Sequence, residues 1–162
     1  MKTYIGIDPG QKGGIALLNA TSQLWQMMDD PVSLQTLFYR LRSYSPIVQK
    51  EEGTDRDIIA VVERAQTMPK QGIVGAFTYG KHYGMLLASL AAAGIPYVEI
   101  PPATWKKEIL VGVRDKKDKK QVIVFCQKLF PLANLIPEGC RVEKDGLAEA
   151  LLLAEYGRRK NL

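Results

Sequence analysis

Two carboxylates stand directly after apolar segments that have the composition of buried strands. Asp8 follows residues 3–7, and Glu63 follows the continuous apolar run 58–62. A carboxylate in such a place loses solvation free energy unless a cation or hydrogen-bond donors meet it. Both residues are therefore candidates for a cation-binding or catalytic site.

A second pair of acids lies late in the chain, within a segment with helical periodicity. Asp145 and Glu149 are spaced i, i+4, so they project from one face of the predicted helix. Four carboxylates that converge would repel one another, and hard divalent cations such as Mg²⁺ or Mn²⁺ relieve that repulsion better than zinc. Two such ions, roughly 3.5–4 Å apart, can activate water and stabilise the leaving oxygen of a phosphodiester.

Each of these acids also has an ordinary structural interpretation. Asp8 could cap a turn, Glu63 could pair with Arg64 or a lysine, and Asp145 could cap its helix. The residues alone leave both interpretations open.

Composition predicts one globular domain over residues 1–162, because 46% of the residues are hydrophobic and 24% are charged. We expect a cytoplasmic protein with no membrane segment, since no apolar run approaches ~20 residues. Cys126 and Cys140 lie in no metal-binding pattern, so reduced thiols are expected.

The basic charge is concentrated in one part of the chain. The net charge is +5, and residues 64–120 contain ten basic residues against four acidic ones. This balance favours an anionic partner without identifying it. Lysines at 116–120 could bind phosphate oxygens, but a solvated charged face has the same composition.

Strands that form a meander and then alternate with helices predict an α/β fold, a mixed sheet flanked by helices. The predicted strands are residues 3–8, 15–18, 24–28, 58–62 and 95–100. The predicted helices begin at Ser33 and then cover residues 75–93, with Gly94 as a stop, 102–110, 116–130, and from 142 or 143 to about 159. Residues 49–57 and 111–115 are predicted loops.

Three motifs give the sequence a resemblance to a known family. They are Gly6-Ile7-Asp8-Pro9-Gly10, Val61-Val62-Glu63 and the segment DGLAEAL at 145–151. In this order they resemble the RuvC family of Holliday-junction resolvases, particularly its phage-type members. The resemblance implies an RNase H-like fold, a homodimer, and metal-dependent nicking of two opposed strands at symmetric positions of a four-way DNA junction.

The resemblance also assigns residues. Asp8 and Glu63 correspond to the first two metal-binding carboxylates, and Glu149 corresponds to the late acid, which is usually Asp in bacterial members. The remaining acid of those members falls on Gly146 here, one position after Asp145, which still shares a face with Glu149. The implied cofactor is two Mg²⁺ ions per site, with Mn²⁺ as a substitute and no organic cofactor. The late-helix motif suggests a bacterial or phage-infected cell as the location.

The family places DNA-facing lysines in the segments 103–107 and 116–122, and Lys107 and Lys119 align best with them. It also places a base-wedging aromatic in the loop after Glu63. Gln66 occupies that position here, so a wedge would come from Met68, Ile73 or Phe77. The predicted DNA-binding residues are Lys12, Arg64, Met68, Lys70, His82, Lys106, Lys107, Lys116, Lys119 and Lys120.

Small residues at Gly84, Ala88 and Ala91 permit close helix approach, and the family dimerises through this helix, so a symmetric interface is predicted there. Ordinary packing on the sheet is the alternative. Trp25 and Trp105 are expected in or near the core. Two other functions stay open: an RNase H-like nuclease on RNA or other branched DNA, and a non-catalytic junction-binding protein.

Overall fold

Five strands form one mixed sheet in the order β3-β2-β1-β4-β5. The computed structural model describes residues 2–10, 12–19, 23–26, 31–51, 57–66, 72–137 and 139–162. The strands are β1 (Thr3–Asp8), β2 (Gly14–Leu18), β3 (Gln23–Gln26), β4 (Ile58–Glu63) and β5 (Tyr97–Ile100). β1, β2 and β3 pair antiparallel, whereas β4 pairs parallel with β1 and with β5. The predicted mixed sheet is confirmed.

The helices among the described residues cover both faces of the sheet. They are α1 (Pro31–Arg42), α2 (Pro46–Glu51), α3 (Ile73–Ala92), α4 (Pro102–Ile109), α5 (Lys119–Leu129) and α6 (Asp145–Lys160). Leu41 of α1 and Leu86 and Leu90 of α3 pack in one core layer with alternate residues of β1 and β2. The opposite layer contains the buried residues of α4, α5 and α6.

Several element boundaries differ from the prediction. The first helix begins at Pro31 rather than at Ser33, and α6 begins at Asp145 rather than at 142 or 143. The predicted 49–57 loop is wrong at its start, because α2 runs to Glu51. Ser45 caps α2 by accepting a hydrogen bond from the Ile47 backbone N–H at 3.3 Å.

The fifth helix begins at Lys119, not at residue 116. The Asp118 side chain accepts hydrogen bonds from the backbone N–H groups of Lys120 and Gln121, which fixes the helix start. Lys116 and Lys117 therefore lie in the preceding turn rather than in the helix.

The third helix, α3, ends as predicted, because Gly94 adopts a positive φ of 67° directly after the C-cap residue Ala93. Only Leu86 and Leu90 of its residues are buried, and Gly84, Ala88 and Ala91 are exposed. Neither α3 nor another helix in the described ranges has the length and apolar character required to cross a bilayer.

The sixth helix is the most buried element. From Gly146 through Gly157 every residue except Glu149 is buried. The helix lies so close to β1 that a β-carbon at Gly6 would be 1.8 Å from the Ala150 carbonyl oxygen and 2.5 Å from the Ala154 nitrogen. A β-carbon at Gly146 would similarly be 2.3 Å from the Lys12 carbonyl oxygen. These backbone contacts set the position of α6 on the sheet.

We predict that Gly6→Ala lowers the melting temperature strongly, because the added methyl group overlaps backbone atoms that cannot rotate away. Overpacking of about 3 kcal/mol corresponds to a loss of roughly 6–12 °C in a domain of this size. Thermal denaturation followed by circular dichroism would measure it. Gly80→Ala is the matched control, since a β-carbon at Gly80 in α3 meets no atom within 4 Å. That variant should melt at or above the wild-type temperature, and equal losses in both variants would contradict the prediction.

Candidate active site

Three of the four predicted carboxylates converge at one edge of the sheet. Asp8, Glu63 and Glu149 each offer an oxygen, and these oxygens lie within 4.8 Å of one another. Gly6 and Val61 are direct neighbours in the parallel pairing of β1 with β4. Because side chains alternate along a strand, Asp8 and Glu63, each two positions later, turn to the same face, and that face is covered by α6.

The convergence of the carboxylates disfavours ionisation of Asp8. Burial and, next, the negative charge of Glu149 raise its pKa from 3.8 to about 7, and Glu63 adds to the effect. The Gly10 backbone N–H donates a hydrogen bond to Asp8 Oδ1 at 3.1 Å, which lowers the pKa, as does the positive charge of Lys106. Near neutral pH Asp8 is therefore only partly ionised when no cation is bound.

Glu63 is held by a tryptophan. The Trp105 indole N–H donates a hydrogen bond to Glu63 Oε2 at 2.8 Å. Burial raises the pKa of Glu63, while this hydrogen bond opposes the rise. Trp105 is fully buried, as predicted, but its hydrogen bond to the site was not foreseen. Trp25 belongs to β3 by its backbone, and its side chain lies outside the described part of the chain.

Two lysines pair with the late acids. Lys106 Nζ lies 2.6 Å from Glu149 Oε1, and Lys119 Nζ lies 2.5 Å from Asp145 Oδ2. Asp145 is not part of the three-carboxylate group, because its carboxylate turns to Lys119 instead. It remains close to the group, because the hydrogen bond to Asp145 is the largest cause of the raised pKa of Lys119 and the charges of Glu149 and Asp8 add to it.

The donor set fits a hard divalent cation. The group contains only carboxylate oxygens, and a half-buried, mutually repelling set of acids gains most from an added positive charge. Both cysteines are free thiols, and burial raises the pKa of Cys126 to about 12, so that thiol is a poor metal ligand.

The other predicted site residues differ in their contact with the carboxylates and in their exposure to solvent. Lys106, rather than Lys107, contacts the group, and Lys107 is exposed on α4. Lys12, Arg64, Gln66 and Lys120 are also exposed, Lys116 and His82 are half-buried, and Met68 and Lys70 lie outside the described residues.

One residue of α3, Tyr79, lies near the site, which the sequence did not reveal. Burial and then the charges of Asp8 and Glu63 raise the pKa of Tyr79 to about 12, so its phenol is near both acids. One turn later, Tyr83 donates a hydrogen bond to Glu99. Two of the proposed wedge residues begin this helix and are open to solvent: Ile73 is 89% exposed and Phe77 is 74% exposed.

No family model matches the sequence, and no curated protein is similar to it at a significant level. Solved structures do match. Thermus thermophilus RuvC in complex with a Holliday junction substrate is 17% identical, with a TM-score of 0.57 over 99% of this chain and 96% of that one. Another Thermus thermophilus RuvC structure gives 16% identity and a TM-score of 0.55 over 98% and 96%. The yeast mitochondrial Holliday junction resolvase Ydc2 is 18% identical, with a TM-score of 0.49 over 98% of this chain and 78% of that one. The chain has the RNase H-like α/β fold of RuvC.

We predict that Asp8→Asn stabilises the metal-free protein above neutral pH. Because the folded-state pKa of Asp8 is raised, its carboxylate destabilises the fold increasingly as pH rises from about 4 to about 7, and fully above that. Asn removes the charge and can still accept the Gly10 N–H. Thermal melts in EDTA should show an advantage of at least about 3 °C at pH 8 that disappears near pH 4.

Asp57→Asn is the control for that experiment. Asp57 is a surface acid, and its carboxylate lies 3.3 Å from Lys2 Nζ. Its removal should change the melting temperature little at either pH. A pH-independent effect of Asp8→Asn would contradict the assignment of the strained charge to Asp8.

Proposed function

We propose that the protein is a Holliday-junction resolvase, a metal-dependent endonuclease that nicks four-way DNA junctions symmetrically as a homodimer. The observation that carries this proposal is the convergence of Asp8, Glu63 and Glu149 at one edge of the sheet. The likeness to RuvC over nearly the full length of both chains supports it. The neighbouring lysines suit a substrate with a phosphate backbone.

In this proposal Asp8, Glu63 and Glu149 hold the divalent ions, Mg²⁺ or Mn²⁺, and Asp145 is an additional ligand for the second of two ions. Bound ions of this kind activate a water molecule and stabilise the leaving oxygen of the phosphodiester. Because water would be the nucleophile, the reaction would require no histidine or serine nucleophile. The partly protonated Asp8 must lose its proton to bind a cation, so affinity for the metal rises with pH around neutrality.

Lys106 and Lys119 are the cations best placed to receive a phosphate. Both already pair with acids of the site, and the Lys119 side chain is 72% exposed, so it can turn to a substrate oxygen. Their neighbours in sequence, Lys107, Lys116 and Lys120, together with Lys12, extend the positive charge along the path of a DNA arm. Such contacts position DNA without reading its sequence.

The start of α3 is the proposed contact with the junction centre. Ile73 and Phe77 expose apolar side chains, and Tyr79 of the same helix lies near Asp8 and Glu63. An apolar side chain inserted between unstacked bases stabilises distorted DNA. Arg64, Met68, Lys70 and His82 complete the proposed contacts on this side.

The exposed face of α3 is the proposed dimer interface. Gly84, Ala88 and Ala91 are exposed, and Met85 beside them is 39% exposed. A symmetric pairing of two copies of this face would set two sites at a fixed separation. Two opposed nicks then follow from the shape of the junction.

Nicking of a mobile four-way junction tests the catalytic proposal. We expect wild-type protein to produce paired symmetric nicks in Mg²⁺, none in EDTA, and none in linear duplex. Glu63→Gln removes a charged ligand and should slow nicking by at least about 100-fold, while junction binding in Ca²⁺ persists. Glu108→Gln, a surface acid that pairs with Lys160, is the matched control and should nick normally.

Other outcomes identify other functions. Tight junction binding with no metal-dependent nicking would indicate a junction-binding protein whose acids are structural. Faster cleavage of RNA in a hybrid duplex would indicate an RNase H-like nuclease. Equal activity of Glu63→Gln and wild type would exclude this carboxylate group as the site.

The dimer proposal predicts that Ala88→Arg separates the subunits. An unpaired guanidinium at a symmetric helix contact would weaken association by about 100-fold or more. Light scattering should then give the monomer mass of 18.0 kDa, and paired nicks should become single nicks. Val142→Arg places the same charge on an exposed residue outside α3 and should leave the dimer intact. A wild-type protein that is monomeric on the junction would overturn the proposal.

A further inference from the structure

The hydrogen bond between Trp105 and Glu63 joins the core to the carboxylate group. An indole N–H can only donate, and a buried donor without an acceptor is costly. Trp105 is fully buried, and its N–H lies 2.8 Å from Glu63 Oε2. A carboxylate acceptor makes this a charge-assisted hydrogen bond, which is stronger than one between neutral groups.

Packing holds the indole rigidly. Trp105 belongs to the core layer that contains Ile109 of the same helix and Val122 and Cys126 of α5. A ring enclosed by close-packed neighbours has a fixed N–H direction. The flexible Glu63 side chain therefore adopts the orientation that the ring dictates, with Oε2 occupied by the indole and Oε1 left for another partner.

The adjacent residue contacts a second acid of the group. Lys106 Nζ lies 2.6 Å from Glu149 Oε1 and 5.1 Å from the centroid of the Trp105 ring. Two successive residues of α4 thus contact two of the three carboxylates. The lysine can move to a phosphate, whereas the buried indole cannot leave Glu63 without losing the hydrogen bond of its N–H.

We propose that Trp105 is a positioning residue, which orients Glu63 for cation binding through its indole N–H and does not itself touch metal or DNA. The inference rests on the proposed function, since it treats Glu63 as a metal ligand. Outer groups that orient metal ligands typically contribute 10–100-fold in metal affinity. A purely structural Trp105 would contribute only to the stability of the core.

The experiment compares Mn²⁺ binding with fold stability. Trp105→Phe removes the N–H but also leaves a cavity, so a second variant carries 3-benzothienylalanine at position 105, in which sulfur replaces the N–H at nearly unchanged shape. Isothermal calorimetry of the metal-free protein measures Mn²⁺ affinity, thermal melts measure stability, and gel shift in Ca²⁺ measures junction binding. Leu41→Ala, which loses buried volume in the opposite core layer, is the matched control.

We expect both Trp105 variants to bind Mn²⁺ 10–100-fold more weakly than wild type. Their nicking should recover as Mn²⁺ is raised, and their junction affinity should stay within about twofold of wild type. Leu41→Ala should melt at a lower temperature but bind Mn²⁺ as the wild type does. Wild-type Mn²⁺ affinity in the benzothienylalanine protein would overturn the proposal and leave Trp105 as a core residue only.

The same measurements separate this inference from the proposed function. If wild type binds Mn²⁺ and the Trp105 variants bind it weakly, but no junction is nicked, the positioning inference holds and the resolvase proposal fails. If wild type binds no Mn²⁺, the carboxylates are not a metal site and both proposals fail.

Discussion

The backbone contact between α6 and β1 fixes the position of α6 on the sheet, and the geometry of the carboxylate group depends on it. Gly6 has no β-carbon, so the helix lies directly on the strand at Ala150. Asp8 lies two positions beyond Gly6 on the same face of the strand, and Glu149 immediately precedes Ala150. The contact therefore sets the distance between two carboxylates from opposite ends of the described chain. Parallel pairing of β1 with β4 adds Glu63 at the same edge. Steric contact in the core, rather than attraction between the acids, brings the three together.

Burial and mutual repulsion of the carboxylates at this edge of the sheet oppose folding. The surrounding hydrogen-bond donors and Lys106 offset only part of this unfavourable free energy. The Gly10 N–H, the Trp105 indole and Lys106 all favour the ionised carboxylates, yet the pKa of Asp8 still rises to about 7. A core selected for stability alone would place apolar residues here. Retention of three acids in such an environment is typical of a functional site, where stability is sacrificed for chemistry.

Local patterns predicted the strands, the acids at their ends and the stop at Gly94, because each depends on neighbouring residues. Long-range contacts were not accessible in the same way. The pairing of Asp145 with Lys119 needs α5 to lie beside α6, and no spacing in either segment encodes it. The choice of Lys106 over Lys107 depends on the rotation of α4, which the burial of Trp105 fixes. The start of α5 at Lys119 follows from the capping residue Asp118, whose side chain accepts hydrogen bonds from the backbone N–H groups of Lys120 and Gln121.

The position of α6 in the chain has a consequence for synthesis. A ribosome produces β1 and β4 before α6, so the face of the sheet that α6 covers stays uncovered until residues 145–160 have been made. Asp8 and Glu63 then have no Glu149 beside them, and the apolar side chains around them have no partner. A nascent chain of this protein therefore combines an exposed apolar sheet face, a surface that chaperones bind, with an incomplete set of acids. The three-carboxylate group is therefore complete only once α6 has packed on the sheet.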